Sequence, residues 1–470
     1  MADRFDAIVI GAGAGGLTVG LGLAALGRSV ALVEADRVGG DCTNTGCVPS
    51  KRLIHLARHQ PSDAQAIFAD VRRTRDELAG RERDEMDRIE NLTFIAGRAT
   101  FQTRSTLTVD TKVGTRVISA ANIVIATGSR PIRLTIDGLP AARTLTNESV
   151  FEITSTPRHL AIIGAGAIGL ELAAAFNRLG TKVTMVDLAD RVLVPAIPEA
   201  SQTVAAALAE REIATYLRSK ATRYDDATST LTLDTPDGDV AVDGVDAVLL
   251  AVGRVPNIDQ LNLDAAGVAH TRGIVVDSWG RTSVKGIWAV GDATVGSNQT
   301  HAANALGRRV VQRIAFPWMA FGRPPLLPAA VFCEPEVAWV GMSSGEVAKR
   351  VHPRMVRTIR VDLGEIDRSL TDAVSAGFVS ITARRLTGRI LGATIVGPHA
   401  AEIVATLTQA IEQGVSLFRL SRRAYAYPTF TSILGKAGDV FTRSTLTNLK
   451  TEISVYLRFR FRRGERTTTP

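Results

Sequence analysis

Cysteine is scarce, with three in 470 residues. That excludes the disulfide-stapled secreted scaffold, which is short and cysteine-dense. No C-x-x-C accompanies the two close cysteines, Cys42 and Cys47, so a zinc site there would need two more ligands. No nucleic-acid module accompanies the net charge of +8. Residues 7–27 are uncharged and long enough to span a bilayer. They are dense in glycine, however, and their flank "MADRFD" mixes acids with arginine, a poor start for a signal peptide. With no other targeting signal, the cytoplasm is the expected location. Acids are almost missing from "RSTLTNLKTEISVYLRFRFRR", where Glu452 stands alone. This stretch reads as a solvated helix in a basic tail, residues 446–470, or as a peripheral contact with anionic lipid or a partner.

What is present is core-forming material: 45% of residues are hydrophobic, and the length suits about three domains. It also holds a repeat. Residues 5–34 read "FDAIVIGAGAGGLTVGLGLAALGRSVALVE" and residues 158–187 read "RHLAIIGAGAIGLELAAAFNRLGTKVTMVD". Each runs an apolar strand into G-x-G-x-x-G, then a small-residue helix, a second strand and an acid. The glycines are Gly11, Gly13 and Gly16, and Gly164, Gly166 and Gly169; the acids are Glu34 and Asp187. Such glycines allow a tight turn, close approach of backbone to a pyrophosphate, and close helix–strand packing. The helix N-terminus offers N–H groups to phosphate, and the acid accepts from a ribose hydroxyl. Two full units predict two dinucleotide sites.

Three more apolar runs end in small-residue turns, as where strands deliver loops to a ligand. They are "NIVIATGSRP" with Thr127 and Gly128, "AVLLAVGRVPN" with Gly253, and "GIWAVGDAT" with Asp292. Beyond Pro324, "AAVFCEPEVAWVG" and "SAGFVSITARRLTGRILGATIVG" predict antiparallel strands, and "AAEIVATLTQAIEQG" an amphipathic helix. The expected fold is α/β: two doubly wound Rossmann-like nucleotide-binding domains and an α+β C-terminal domain.

Cys42 and Cys47 lie in "GGDCTNTGCVPSK", next to an apparent helix whose N-terminus would favour thiolate. Five helical steps rise about 7.5 Å, beyond the ~4.4–6.8 Å that a disulfide spans. A bridge therefore needs a distorted turn, for which Gly46 and Pro49 are placed. From the residues alone, a redox pair, a structural bridge and a metal site all remain open. Cys333 reads as a small buried residue.

Taken together, "GGDCTNTGCVPSK", "ATGSRP", "GAGAIGLE", "AVGRVPN", "AVGDAT" and "VFCEPEVAWVG" resemble the disulfide-reductase branch of the flavin- and pyridine-nucleotide-dependent oxidoreductases. That family includes dihydrolipoamide dehydrogenase, glutathione reductase and mercuric reductase. The resemblance implies FAD in the first unit (residues 1–150 and 278–325), NAD(P)H in the second (151–277), and a homodimerisation domain (326–445). It implies a redox disulfide, with Cys42 as interchange thiol and Cys47 beside the flavin. Lys51 would pair with Glu171 near the flavin, Asp292 would hold the ribityl hydroxyls, and Ala99 and Ala302 would touch the flavin. Asp187 favours NADH over NADPH, and Arg191 reads as structural.

The resemblance breaks at "AYAYPTFTS", where Tyr427 replaces the family's basic histidine and Ser432 the glutamate that orients it. His399 reads as structural. A phenol is mostly protonated at neutral pH, so Tyr427 is expected as a hydrogen-bond donor over the other subunit's Cys42. Tyrosine here points toward the mercuric-reductase branch, yet that branch's C-terminal cysteine pair is missing. A small-molecule or thiol-bound acceptor follows, with dihydrolipoamide dehydrogenase activity or flavin-dependent quinone or oxygen reduction as alternatives.

Overall fold

The computed structural model describes residues 2–59, 64–296, 299–319 and 322–460. The chain separates into two compact units, residues 1–188 with 218–324, and residues 189–217 with 325–470.

The first unit is built round two parallel sheets. In one, strand Asp3–Ile10 lies between Val30–Glu34 and Gly114–Ile125, with Leu92–Ala96 outside Val30–Glu34 and Ile287–Ala289 along Gly114–Ile125. An antiparallel meander of Arg98–Thr103 and Thr106–Thr111 continues from Gly114–Ile125. Residues 7–10 are buried, as both faces of a central parallel strand must be, which explains their unbroken apolar run. The uncharged stretch 7–27 is therefore a strand and a helix, Ala14–Ala25. No helix among the described residues is long and apolar enough to cross a membrane.

In the second sheet His159–Ile163 lies between Lys182–Val186 and Ala247–Leu250, which pairs onward with Thr144–Leu145. Strands Lys220–Asp225, Thr230–Thr235 and Gly238–Val242 form a separate antiparallel sheet.

The second unit centres on an antiparallel sheet in the order Ala329–Val331, Val337–Gly341, Ile390–Val396, Phe378–Arg384, Val356–Asp362. Helix Ala400–Glu412 buries Ile403, Val404 and Leu407 against its core, along with Phe441 of helix Ile433–Thr447. Residues 189–217 group here because helix Pro198–Glu210 touches Ile390–Val396 and Arg211 pairs with Glu334.

The basic tail is not simply solvated. Helix Leu449–Arg460 docks through Glu452, only 1% exposed, which accepts from Arg385 at 2.8 and 3.0 Å and from Arg357. Phe459 stacks on His352 and packs with Tyr456 against Val347, Val351 and Met355. The lone acid of the stretch is its anchor, because a buried carboxylate persists only where cations meet it. Residues 461–470 lie outside the described residues.

Candidate active site

The two glycine loops have the same construction. Gly11 turns at φ +104°, where a Cβ would stand 2.4 Å from the Ala126 carbonyl oxygen. A Cβ on Gly16 would lie 1.8 Å from the Gly11 carbonyl oxygen, and one on Gly169 2.0 Å from that of Gly164. Each helix thus packs directly on its own turn. Gly166 has neither reason to be glycine: its φ is −82° and no protein atom lies within 4 Å of its missing Cβ. Gly13 is alike, its nearest neighbour being Gly40 Cα at 3.6 Å. Neither helix has a side-chain cap, so the leading N–H groups face the space that these glycines leave clear. The acids brace the loops: Glu34 accepts from Ala12 N at 2.6 Å, and Asp187 from Ala165 N at 2.5 Å. Open space, unpaired N–H groups and a carboxylate at the strand end fit a dinucleotide in each loop.

The remaining cofactor candidates fall in the same unit. Thr127 Oγ1 donates to the Asn257 carbonyl at 2.7 Å, Gly128 faces open space, and Gly253 turns at φ +120°. Ala99 is buried in its strand and Ala302 in the first turn of helix Thr300–Ala315. Asp292 accepts from Ser129 Oγ at 2.7 Å.

Cys42 sits in the short helix Gly40–Asn44 and Cys47 opens helix Cys47–His59. The chain leaves helical geometry at Thr45, φ −139°, and doubles back at Gly46, where a Cβ would meet the Asp41 carbonyl oxygen at 2.8 Å. Pro49 falls in the first turn of the new helix, where its missing N–H costs nothing. Asn44 fastens the turn, donating to the Val38 and Gly40 carbonyls at 2.9 Å. Both cysteines are free thiols, hydrogen-bonded to each other. The bond from Cys42 lowers the Cys47 thiol to about 6, with help from Thr300 Oγ1 at 3.5 Å and the Lys51 ammonium. The same bond, with burial, pushes the Cys42 thiol up. The two shifts run in opposite directions, favouring the proton on Cys42 and the charge on Cys47.

One turn along the helix, Lys51 Nζ meets Glu171 Oε2 at 2.7 Å, with Glu171 buried in helix Ala167–Arg178. Sequence reasoning missed the clamp on the other side. Arg254 binds Asp41, the neighbour of Cys42, and donates to Ser129 Oγ at 2.7 Å and Asn147 Oδ1 at 3.1 Å. Both partners of that ion pair stand inside quoted motifs, Asp41 beside Cys42 and Arg254 beside Gly253, and only a charge count of those motifs would have raised them.

In the second unit Tyr427 is 78% exposed, and its hydroxyl donates to Asp367 Oδ2 at 2.8 Å. That carboxylate pushes the phenol's titration up. Ser432, which stands in the glutamate's place, turns back to the Thr429 carbonyl at 2.7 Å. The expected donor has thus committed its proton to an acid 60 residues away in sequence, which no local pattern announced. His399 caps helix Ala400–Glu412 with its ring beside Phe430, and Cys333 is buried.

Two dinucleotide cradles and a thiol pair set at the turn between two helices define a flavin- and nicotinamide-dependent dithiol oxidoreductase. The chain belongs to the pyridine nucleotide-disulphide oxidoreductase family, whose profile matches residues 5–307 and whose dimerisation domain matches residues 327–437. It is 32% identical to dihydrolipoyl dehydrogenase 3 of Haloarcula marismortui, over 92% of this chain and 96% of that one. It is 32% identical to mercuric reductase of Streptomyces lividans, over 93% and 96%. Among solved structures, the Cu(II) complex of the HOCl-induced flavoprotein disulfide reductase RclA from Escherichia coli superposes with a TM-score of 0.85 at 25% identity, covering 93% of this chain and 99% of that one. The protein is an enzyme that uses FAD and NAD(P)H, and it carries the dimerisation domain of homodimeric relatives.

Proposed function

We propose that the protein takes electrons from NADH and passes them through Cys42 and Cys47 to a thiol-bound soft metal ion or a disulfide, in the cytoplasm of its cell. FAD, when bound, supplies the electron pair that opens the Cys42–Cys47 disulfide. Opening consumes two electrons and one proton, leaving Cys42 as thiol and Cys47 as thiolate. The observation that carries this reading is the placing of the two thiols at the turn into helix Cys47–His59, with the Lys51–Glu171 ion pair one turn along it. Lys51 stabilises negative charge at the inner end of the pair, and Glu171 fixes the ammonium.

The acceptor follows from what stands at residue 427. A disulfide reductase of the lipoamide type needs a base to move thiol protons near neutral pH. A phenol bonded to a carboxylate does not supply one, whereas a metal ion displaces thiol protons by coordination. The names of relatives extend to Hg(II) and Cu(II), which makes those ions the first acceptors to try. NADH is favoured because Arg191 is tied to the carbonyls of Val194 and Ala196, at 2.7 and 3.0 Å, and so is not held out for a 2′-phosphate.

A stopped-flow screen of the NADH-reduced enzyme against glutathione-bound Hg(II), thiol-free Cu(II), lipoamide, glutathione disulfide, quinones and oxygen tests this. Metal–thiol complexes should reoxidise it fastest, and Cys47→Ser should slow that step on the order of 1,000-fold. Full turnover by Cys42→Ala and Cys47→Ser with a quinone would instead mark the cysteines as silent.

A further inference from the structure

We infer that Asp367 is a positioning residue that makes Tyr427 a hydrogen-bond acceptor toward the electron-acceptor site, so that the site takes a metal centre or a protonated thiol and not a bare thiolate. The inference rests on the proposed placing of Tyr427 at that site. A phenol has one proton, and here it lies on the 2.8 Å bond to Asp367 Oδ2. What Tyr427 presents on its remaining side is a lone pair. A thiolate needs a donor and finds none in this hydroxyl; a thiol S–H or a coordinated metal ion finds a ligand.

The residues on either side of Asp367 are themselves tied down. Asp367 is the first residue of helix Asp367–Thr371, and the turn before it is gripped by Lys436, whose ammonium meets the Glu365 carbonyl at 2.5 Å and its carboxylate at 3.2 Å. Arg368, next in sequence, is occupied by Asp372 at 2.9 Å and lies over the Phe430 ring. Tyr427 and Asp367 line a cleft of about 370 Å³, with Glu365, Arg368, Arg423, Lys436 and Asp439 as the other charged groups on its walls. Three acids thus face three bases there, so the selection comes from the direction of one proton, not from net charge.

Two measurements on the FAD-loaded full chain test the inference. The ultraviolet titration of Tyr427, taken as the difference from Tyr427→Phe, should fall to lower pH in Asp367→Asn; an unmoved midpoint overturns the inference. Reoxidation by glutathione-bound Hg(II) should slow about three- to tenfold in Asp367→Ala, the scale of one lost hydrogen bond. Tyr427→Phe should slow it as much, the double variant no further, with flavin reduction by NADH unchanged in all three. Additive slowing overturns the coupling. Unslowed reoxidation in both single variants overturns the placing of Tyr427, while the cysteine variants above report separately on the proposed function.

Discussion

Residues 3–34 and 159–187 repeat one backbone plan, with the same glycine turn, capless helix and bracing acid. Among the positions at which the two helices differ, one bears on coupling. In the first repeat it is Thr18, whose hydroxyl is satisfied by the Ala14 carbonyl of its own helix and by Asn304. In the second it is Glu171, which leaves its own repeat to reach Lys51 on the thiol-bearing helix. The duplicated frame supplies two equivalent cradles, and single substitutions decide which one is wired to the redox centre. Architecture is inherited twice; coupling is written once.

The largest effects should come from the glycines that both repeats share. Gly16→Ala and Gly169→Ala each drive a methyl to about 2 Å from a carbonyl oxygen. Gly16→Ala should purify without FAD. Gly169→Ala should keep FAD and raise the KM for NADH on the order of 100-fold, a loss of about 3 kcal/mol. If flavin content and KM move together in both variants, the cradles are not independent and the comparison fails.

The next effect isolates the position that bears on coupling. Glu171→Gln should slow flavin reduction about 10- to 100-fold, the scale of a charge-assisted bond worth about 1.5–3 kcal/mol. Thr18→Val, its counterpart, should cost stability of about 1 kcal/mol and leave that rate within about twofold. Equal rate losses would show that the helices are only scaffolds.

The smallest effect is in the thiols themselves. In the reduced protein one thiolate should titrate near pH 6 by its ultraviolet absorbance, and vanish in Cys47→Ser. The sign for stability follows: a thiol depressed by folding stabilises the reduced protein above the ordinary thiol pKa, and that contribution is lost as pH falls through about 6. Urea unfolding of the reduced protein should therefore weaken over that window relative to Cys47→Ser, and parallel curves for the two would refute the assignment.

Most of the frame was legible because it rests on local rules. Glycine spacing, strand periodicity and the acid at the strand end specify each cradle within about 30 residues, and Lys51 and Glu171 sit in quoted motifs. What escaped was made by distance. Arg254 reaches Asp41 from 213 residues away, and Asp367 finds Tyr427 across 60. Long-range charge pairs leave no periodic trace, so a tyrosine expected to donate outward was found donating inward. In the tail the expected helix is present over Leu449–Arg460, and what composition did not announce was the buried carboxylate of Glu452 that docks it.

That carboxylate also bears on the order in which the chain can finish folding. Arg357 lies in strand Val356–Asp362 and Arg385 just past the end of its neighbour Phe378–Arg384, and both guanidiniums converge on Glu452. While the nascent polypeptide is still short of residue 452, those two like charges face one another with no counter-ion from the chain. That corner of the second unit is therefore complete only when the helix bearing Glu452 docks, and until then the two guanidiniums repel each other across it.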